Sequence, residues 1–377
     1  MKPGKAAYID PMTNETFPLE TPIWCSPSGN PLMLTPLPGI RRDAVDRSTQ
    51  SLWRYHAALP LQVAAPISMG EGCTPLVAAE YSGAPCFFKL EWFSPTGSFK
   101  DRGSSVMLSL LKQQGVSSVL EDSSGNGGSS IAGYGAAGGL QVKVLVPEAT
   151  SPGKIAQIKA YGADVELVPG PREATEAAAI ELSSQIFYAS HNWHPFFLQG
   201  TKTLGYEIWE DCGFTLPDNI IMPTAAGSNL LGCYIACKEL LASGEVEHLP
   251  KLFVSQPVNC APLHASFQAG TEDYVACEFK PTIAEGTAIK RPIRLVQMLR
   301  AIRESGGATV AIEEQEIMDA CLTLAQQGFY VEPTCAHAAA AFSRLIETGA
   351  IKKSDHTVVI LTGTGLKTTP FYEAILD

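Results

Sequence analysis

Lys100 lies in Ser94-Pro-Thr-Gly-Ser-Phe-Lys-Asp-Arg-Gly103, where a turn rich in Pro, Gly and Ser runs into helical spacing from about Asp101. At a helix start the dipole's positive end disfavours an ammonium ion, which suits a lysine to imine chemistry. Taken alone, a solvated surface charge is the commoner fate of a lysine. Two other segments put glycines and hydroxyls where a helix begins: Asp122-Ser-Ser-Gly-Asn-Gly-Gly-Ser-Ser130 and Pro223-Thr-Ala-Ala-Gly-Ser-Asn229. Backbone N–H groups in such loops can cradle a carboxylate or a phosphate, although each segment alone also reads as an ordinary turn. A fourth segment, Leu361-Thr-Gly-Thr-Gly-Leu-Lys367, offers a hydroxyl in a tight turn. One lysine plus two anion-binding helix starts is the inventory that a phosphorylated aldehyde cofactor requires: an imine-forming amine, a seat for its phosphate and a seat for a substrate carboxylate.

Short apolar runs at 85–90, 116–120, 142–146, 165–168, 220–222, 252–254 and 358–361 recur along the chain, most of them followed by Gly, Ser or Pro and then by helical spacing. Continuous apolar strands alternating with helices predict parallel sheets covered on both faces. Sites in such sheets lie just after the carboxyl ends of strands, which is where the four segments fall. Before position 55 the prolines, Pro3 to Pro38, predict an irregular arm without long elements. The formal G-x-G-x-x-G match Gly133-Tyr-Gly-Ala-Ala-Gly138 falls inside a helical stretch with no strand before it, so it reads as small residues for close packing rather than a dinucleotide site.

The 377 residues carry 27 Lys+Arg against 38 Asp+Glu, a net charge of −11, with 45% hydrophobic and 17% charged residues. That balance excludes a disordered chain and argues against a nucleic-acid or anionic-membrane partner. No run approaches the roughly 18 apolar residues of a spanning helix, and the N-terminus lacks a signal-peptide pattern, so a cytoplasmic protein is expected. The ten cysteines are scattered without a Cys-x-x-Cys pair and read as core thiols, and no metal site is expected. His191 and His194 flank Trp193 at a spacing poor for a metal, and read as structural or pocket-lining.

Six motifs then carry a resemblance: Glu-Gly-Cys-Thr-Pro-Leu76, Pro-Thr-Gly-Ser-Phe-Lys-Asp-Arg-Gly103, Ser-Ser-Gly-Asn126, Gly-Thr-Lys-Thr203, Glu-Pro-Thr334 and Thr-Gly-Thr-Gly-Leu-Lys367. From about position 50 onward the chain resembles the fold-type II pyridoxal-phosphate enzymes, whose fold is like that of the tryptophan synthase β chain, and looks most like the threonine synthase group. The resemblance implies an α/β protein with two parallel-sheet domains and pyridoxal 5'-phosphate in the cleft. It divides the chain into an arm at 1–55, a large cofactor-binding domain at 56–109 and 201–377, and a small domain at 110–200. Lys100 would form the imine and later take the Cα proton. Phe99 would contact the cofactor and Asn126 its phenolic oxygen, while Ala225, Ala226, Gly227, Ser228 and Asn229 would hold its phosphate. Thr362 would face the pyridine nitrogen; a neutral hydroxyl there makes a weaker electron sink, favouring elimination and replacement over transamination. Ser123, Ser124, Gly125 and Gly127 would receive the carboxylate of a small amino-acid substrate. Relatives are commonly homodimers.

The chain also departs from the group. Threonine synthases usually place an arginine on the substrate phosphate before Gly-x-Lys-Thr, and Phe197 stands there; a threonine often follows the Asn126 position, and Gly127 stands there. An aromatic ring in place of a bidentate clamp forfeits charge-assisted bonds worth about 1.5–3 kcal/mol each. Lys290 and Arg291 could return positive charge, or be solvated. The expected function is a lyase on a small L-amino acid, with conversion of O-phosphohomoserine to threonine leading. A β-eliminating ammonia-lyase or dehydratase, or a β-replacement enzyme, is the alternative, and a non-catalytic amino-acid sensor a minor one.

Overall fold

The computed structural model describes residues 6–150 and 152–376; Pro3, counted with the arm, lies outside the described residues. The chain forms two compact units. One holds the chain up to Cys73 together with Ser94–Thr96 and Lys100–Thr203; the other holds Thr74–Phe93, Gly97–Phe99 and Leu204 onward.

The second unit is built on six strands in the order Thr309–Ile312, Lys251–Pro257, Asn219–Pro223, Thr357–Leu361, Ala84–Leu90, Leu76–Tyr81. Neighbours run parallel except the last pair. Every residue of Asn219–Pro223 and Thr357–Leu361 is buried, as central strands covered on both faces must be. The helix Pro333–Glu347 lies across these strands and presents Ala336, Ala338, Ala339 and Ala341, all fully buried, so that small side chains bring its backbone close to the sheet. The antiparallel edge strand Leu76–Tyr81 was not expected from the apolar runs. From Val77 it alternates between half-buried and exposed positions and ends on buried Tyr81, and it joins its partner through Ser82 and Gly83, both at positive φ, as a two-residue hairpin turn requires.

In the first unit a four-stranded parallel sheet runs Asp164–Val168, Gln141–Pro147, Ser118–Glu121, Phe187–Tyr188. Three strands of two or three residues, Ala7–Ile9, Thr16–Pro18 and Met33–Leu34, form a small antiparallel sheet in the proline-rich stretch. The helices Lys100–Gln113 and Asn126–Gly138 pack on each other, and Gly133-Tyr-Gly-Ala-Ala-Gly138 lies within the second. A Cβ on Gly135 would come 2.1 Å from Val142 Cγ2, and one on Gly138 2.4 Å from Ile67 Cδ1. That match therefore serves packing.

One buried cation is central to the second unit. Lys89 Nζ, fully buried, donates to Glu207 Oε1 at 2.7 Å, Asp211 Oδ2 at 2.6 Å and the Thr74 carbonyl at 2.6 Å. Removing one partner of a buried pair strands the other charge. Lys89→Met should lower the unfolding free energy by about 3–5 kcal/mol in urea titrations, and Lys89→Met/Glu207→Leu should recover a large part of it.

Candidate active site

Lys100 opens the helix Lys100–Gln113 and is half-buried. The next residue anchors the turn that delivers it. The Asp101 carboxylate, fully buried, accepts from Thr96 N–H at 2.7 Å, Thr96 Oγ1 at 2.5 Å and Ser130 Oγ at 2.7 Å. An aspartate in the first helical turn also complements the dipole. Phe197 is fully buried against the same helix, its ring centroid 5.7 Å from Lys100 Nζ, within reach of a cation–π contact. It fits because position 103 is glycine: a Cβ there would come 2.4 Å from the ring.

Asn126 opens the helix Asn126–Gly138, whose N-cap, Gly125, brings no side chain to that helix start. The loop before it carries Ser123 and Ser124, both half-buried, and exposed Gly125. A Cβ on Gly128 would lie 1.9 Å from the Ser123 carbonyl oxygen, so the loop folds under the helix only with glycine there. A Cβ on Gly127 would lie 2.7 Å from both Nδ1 and Cε1 of His191. The space a side chain at 127 would use is thus taken by an imidazole from 64 residues downstream.

That imidazole has a dedicated partner. His191 Nδ1 lies 2.7 Å from Glu121 Oε1, and the His191 backbone N–H donates to Glu121 Oε2 at 3.1 Å. Glu121 is fully buried and His191 is 8% exposed. The His191 ring also meets Phe197 edge to face, centroids 5.8 Å apart. Burial pushes the Glu121 carboxyl up to about 7, against the pull of the His191 N–H, Arg172 and Lys100. Burial, reinforced by Lys100, holds the His191 imidazole well below its ordinary value. The pair therefore carries one shared proton more below about neutral pH than above it. Next to it, burial raises Asp122, whose carboxylate is met by Arg172 Nη2 at 3.2 Å. His194 is separate: fully buried, it packs among Tyr8, Phe187 and Phe196. Sequence reasoning weighed His191 but missed Glu121; the available signal was a carboxylate ending an apolar strand, at the carboxyl edge where sites lie.

The second unit holds the remaining candidates. Residues 225–229 follow the strand Asn219–Pro223, and Gly227 is the N-cap of the helix Ser228–Ala242. Gly227 has φ 87°, and a Cβ there would come 2.0 Å from Met298 Sδ, so both conformation and space demand glycine. As a glycine, this N-cap brings no side chain to the helix start. Asn229 is 3% exposed, and among the described residues neither its amide nitrogen nor its oxygen has a hydrogen-bond partner. A buried amide without partners is costly unless a ligand supplies them, so this loop is built to hold a polar group. Ala225 and Ala226 are half-buried beside it, and Ser228 is buried. Thr362 follows the strand Thr357–Leu361 and is buried; its carbonyl accepts from the Phe99 N–H at 3.1 Å, and Ser98 bridges Gly363, so the Phe99 and Thr362 segments are held side by side. Glu332 packs on Gly363, where a Cβ would come 2.2 Å from its Oε1. Lys290 and Arg291 are both exposed, and the Arg291 guanidinium lies over Tyr274, 5.3 Å from the ring centroid.

The sequence signature of the family described as "pyridoxal-phosphate dependent enzyme" spans residues 67–363. The chain is 34% identical to the threonine synthase of Methanocaldococcus jannaschii over 325 residues, 84% of this chain and 80% of the relative. To the threonine synthase of Methanosarcina acetivorans it is 33% identical over the same shares, and to that of Mycobacterium tuberculosis 29%, over 80% of this chain and 84% of the relative. Among solved structures, a fungal L-serine ammonia-lyase from Rhizomucor miehei matches with a TM-score of 0.69 at 21% identity, over 80% of this chain and 98% of that one. Maize serine racemase matches with a TM-score of 0.68 at 21% identity, over 80% and 91%. Likeness at that identity shows the fold alone.

The Gly127–His191 contact makes a direct prediction. Gly127→Thr should destabilise the protein by about 1–3 kcal/mol through overpacking, measured by chemical denaturation. Adding His191→Ala should remove most of that cost, giving a clear coupling in the double-mutant cycle.

Proposed function

The chain belongs to the pyridoxal-phosphate dependent enzymes, and from that premise we propose a lyase of the threonine synthase type, converting O-phospho-L-homoserine and water to L-threonine and phosphate. The observation that carries this reading is the likeness to curated threonine synthases over more than four fifths of the chain.

The residues present fit the cofactor. The uncapped helix start at Gly227, with the buried and unpartnered Asn229 amide beside it, suits a phosphate, which would accept from the backbone N–H groups of 225–229. Asn126 would hold the phenolic oxygen, Thr362 would set a neutral hydroxyl against the ring nitrogen, and Phe99 would lie along the cofactor. When bound, pyridoxal phosphate supplies an electron sink for charge developing at the substrate's Cα. Lys100 is the proton carrier in this reading: its amine takes the Cα proton and can return it. Asp101 keeps Lys100 in place by tying the Thr96 turn to the helix start. Ser123, Ser124, Gly125 and Gly127 would orient the substrate by its carboxylate at the Asn126 helix start. The proposal includes the divisions at 1–55, 56–109 with 201–377, and 110–200, and a cytoplasmic homodimer, which light scattering behind size exclusion checks. No helix among the described residues is long and apolar enough to cross a membrane.

A second reading rests on Phe197. A fully buried phenyl ring beside Lys100 brings no charge to a terminal phosphate, which favours an amino acid without one and an ammonia-lyase reaction ending in a 2-oxo acid. Exposed Lys290 and Arg291 supply positive charge only if substrate reaches them.

The test is phosphate release from O-phospho-L-homoserine by the cofactor-loaded protein, with the product identified in the same tube. Stoichiometric threonine is expected; 2-oxo acid from serine or threonine without phosphate release would replace the first reading by the second. Lys100→Ala should lower turnover by about 10²–10⁴-fold, while Asn229→Ala should weaken cofactor retention on dialysis without abolishing turnover at saturating cofactor.

A further inference from the structure

Resting on the reading of Lys100 as the centre of an amino-acid lyase, we propose that the His191 imidazole, oriented by Glu121, is a substrate-contact group that donates its Nε2–H to an oxyanion of the substrate and sets specificity at this site. Three observations converge. The ring's Nδ1–Cε1 edge covers Gly127, at the helix start offered to the substrate carboxylate. Its opposite neighbour is Phe197, whose ring in turn lies 5.7 Å from Lys100 Nζ, so the imidazole stands one ring away from the reactive amine. And while Nδ1 is committed to Glu121, Nε2 has no hydrogen bond to the protein among the described residues, although the side chain is more than nine-tenths buried.

The partner decides what Nε2 can do. With one shared proton, the Glu121–His191 pair holds a hydrogen between Oε1 and Nδ1 and another on Nε2, whichever partner formally bears the charge. Nε2 is then a donor, suited to a carboxylate or phosphate oxygen. When that proton is lost, the remaining hydrogen stays on Nδ1, facing the carboxylate, and Nε2 becomes an acceptor that repels an oxyanion. Burial of Glu121 puts this change near neutral pH. The other charged groups bearing on the pair are Lys100 and Arg172, which favour loss of the proton, and Asp122, which opposes it. Substrate affinity should therefore be higher below about pH 7 than above it.

The experiment reads amino-acid binding to the cofactor-loaded holoenzyme from the shift in cofactor absorbance, with L-threonine and O-phospho-L-homoserine as probes, across pH 6 to 8.5. His191→Phe should weaken binding about tenfold at pH 6 while cofactor uptake is unchanged. His191→Gln, which keeps a donor without a titrating proton, should restore affinity and flatten its pH dependence; Glu121→Gln should flatten it too. Equal loss for both probes in His191→Phe assigns the contact to the carboxylate; loss confined to the phosphorylated probe assigns it to the phosphate. A change of less than twofold in His191→Phe, or a pH dependence that survives in Glu121→Gln, overturns the inference and leaves the lyase reading standing. A wild-type holoenzyme that responds to neither probe overturns both.

Discussion

Asp101 is the constraint from which the reactive part of the first unit is organised. Its carboxylate gathers three hydrogen bonds in a fully buried setting, two from Thr96 before the helix and one from Ser130 on the neighbouring helix. A buried carboxylate tolerates burial only when its oxygens are satisfied, so the turn, the Lys100 helix and the Asn126 helix must all be in register at once. Lys100 and the Asn126 helix start are thereby tied to the same buried carboxylate.

Close approach is the second theme. The glycines of the candidate site act chiefly as places where a neighbour comes nearer than any Cβ would allow. Phe197 presses on Gly103, His191 on Gly127, the Ser123 carbonyl on Gly128, Met298 on Gly227 and Glu332 on Gly363. Each pairing brings a bulky or polar group to the backbone of a helix start or loop of the candidate site. These segments are accordingly closely packed, which suits preorganised binding better than the flexibility a glycine-rich string suggests.

Much of the fold was legible because its signals are local. Runs such as 220–222 and 358–361 are apolar throughout since central parallel strands are covered on both faces, and they became Asn219–Pro223 and Thr357–Leu361. The elements that escaped were those whose composition follows from position in the sheet. Leu76–Tyr81 is a half-exposed antiparallel edge, Thr309–Ile312 is the opposite edge, and Phe187–Tyr188 is two residues long. An edge strand need not be a continuous apolar run, and so gives no such signature.

The candidate site divides the same way. Sequence by itself determined which loops follow strands, that Lys100 starts a helix, and that glycine and hydroxyl groups open the Asn126 and Ser228 helices, because turn chemistry and periodicity are written within a dozen neighbouring residues. Only the tertiary structure decided that Gly127 is glycine on account of His191, that Glu121 is the partner of that histidine 70 residues away, that Phe197 lies against Lys100, and that Asn229 is buried without a partner. Local propensity selects a residue's own conformation, whereas the protonation, contacts and unmet hydrogen bonds of a side chain belong to whatever the fold sets against it.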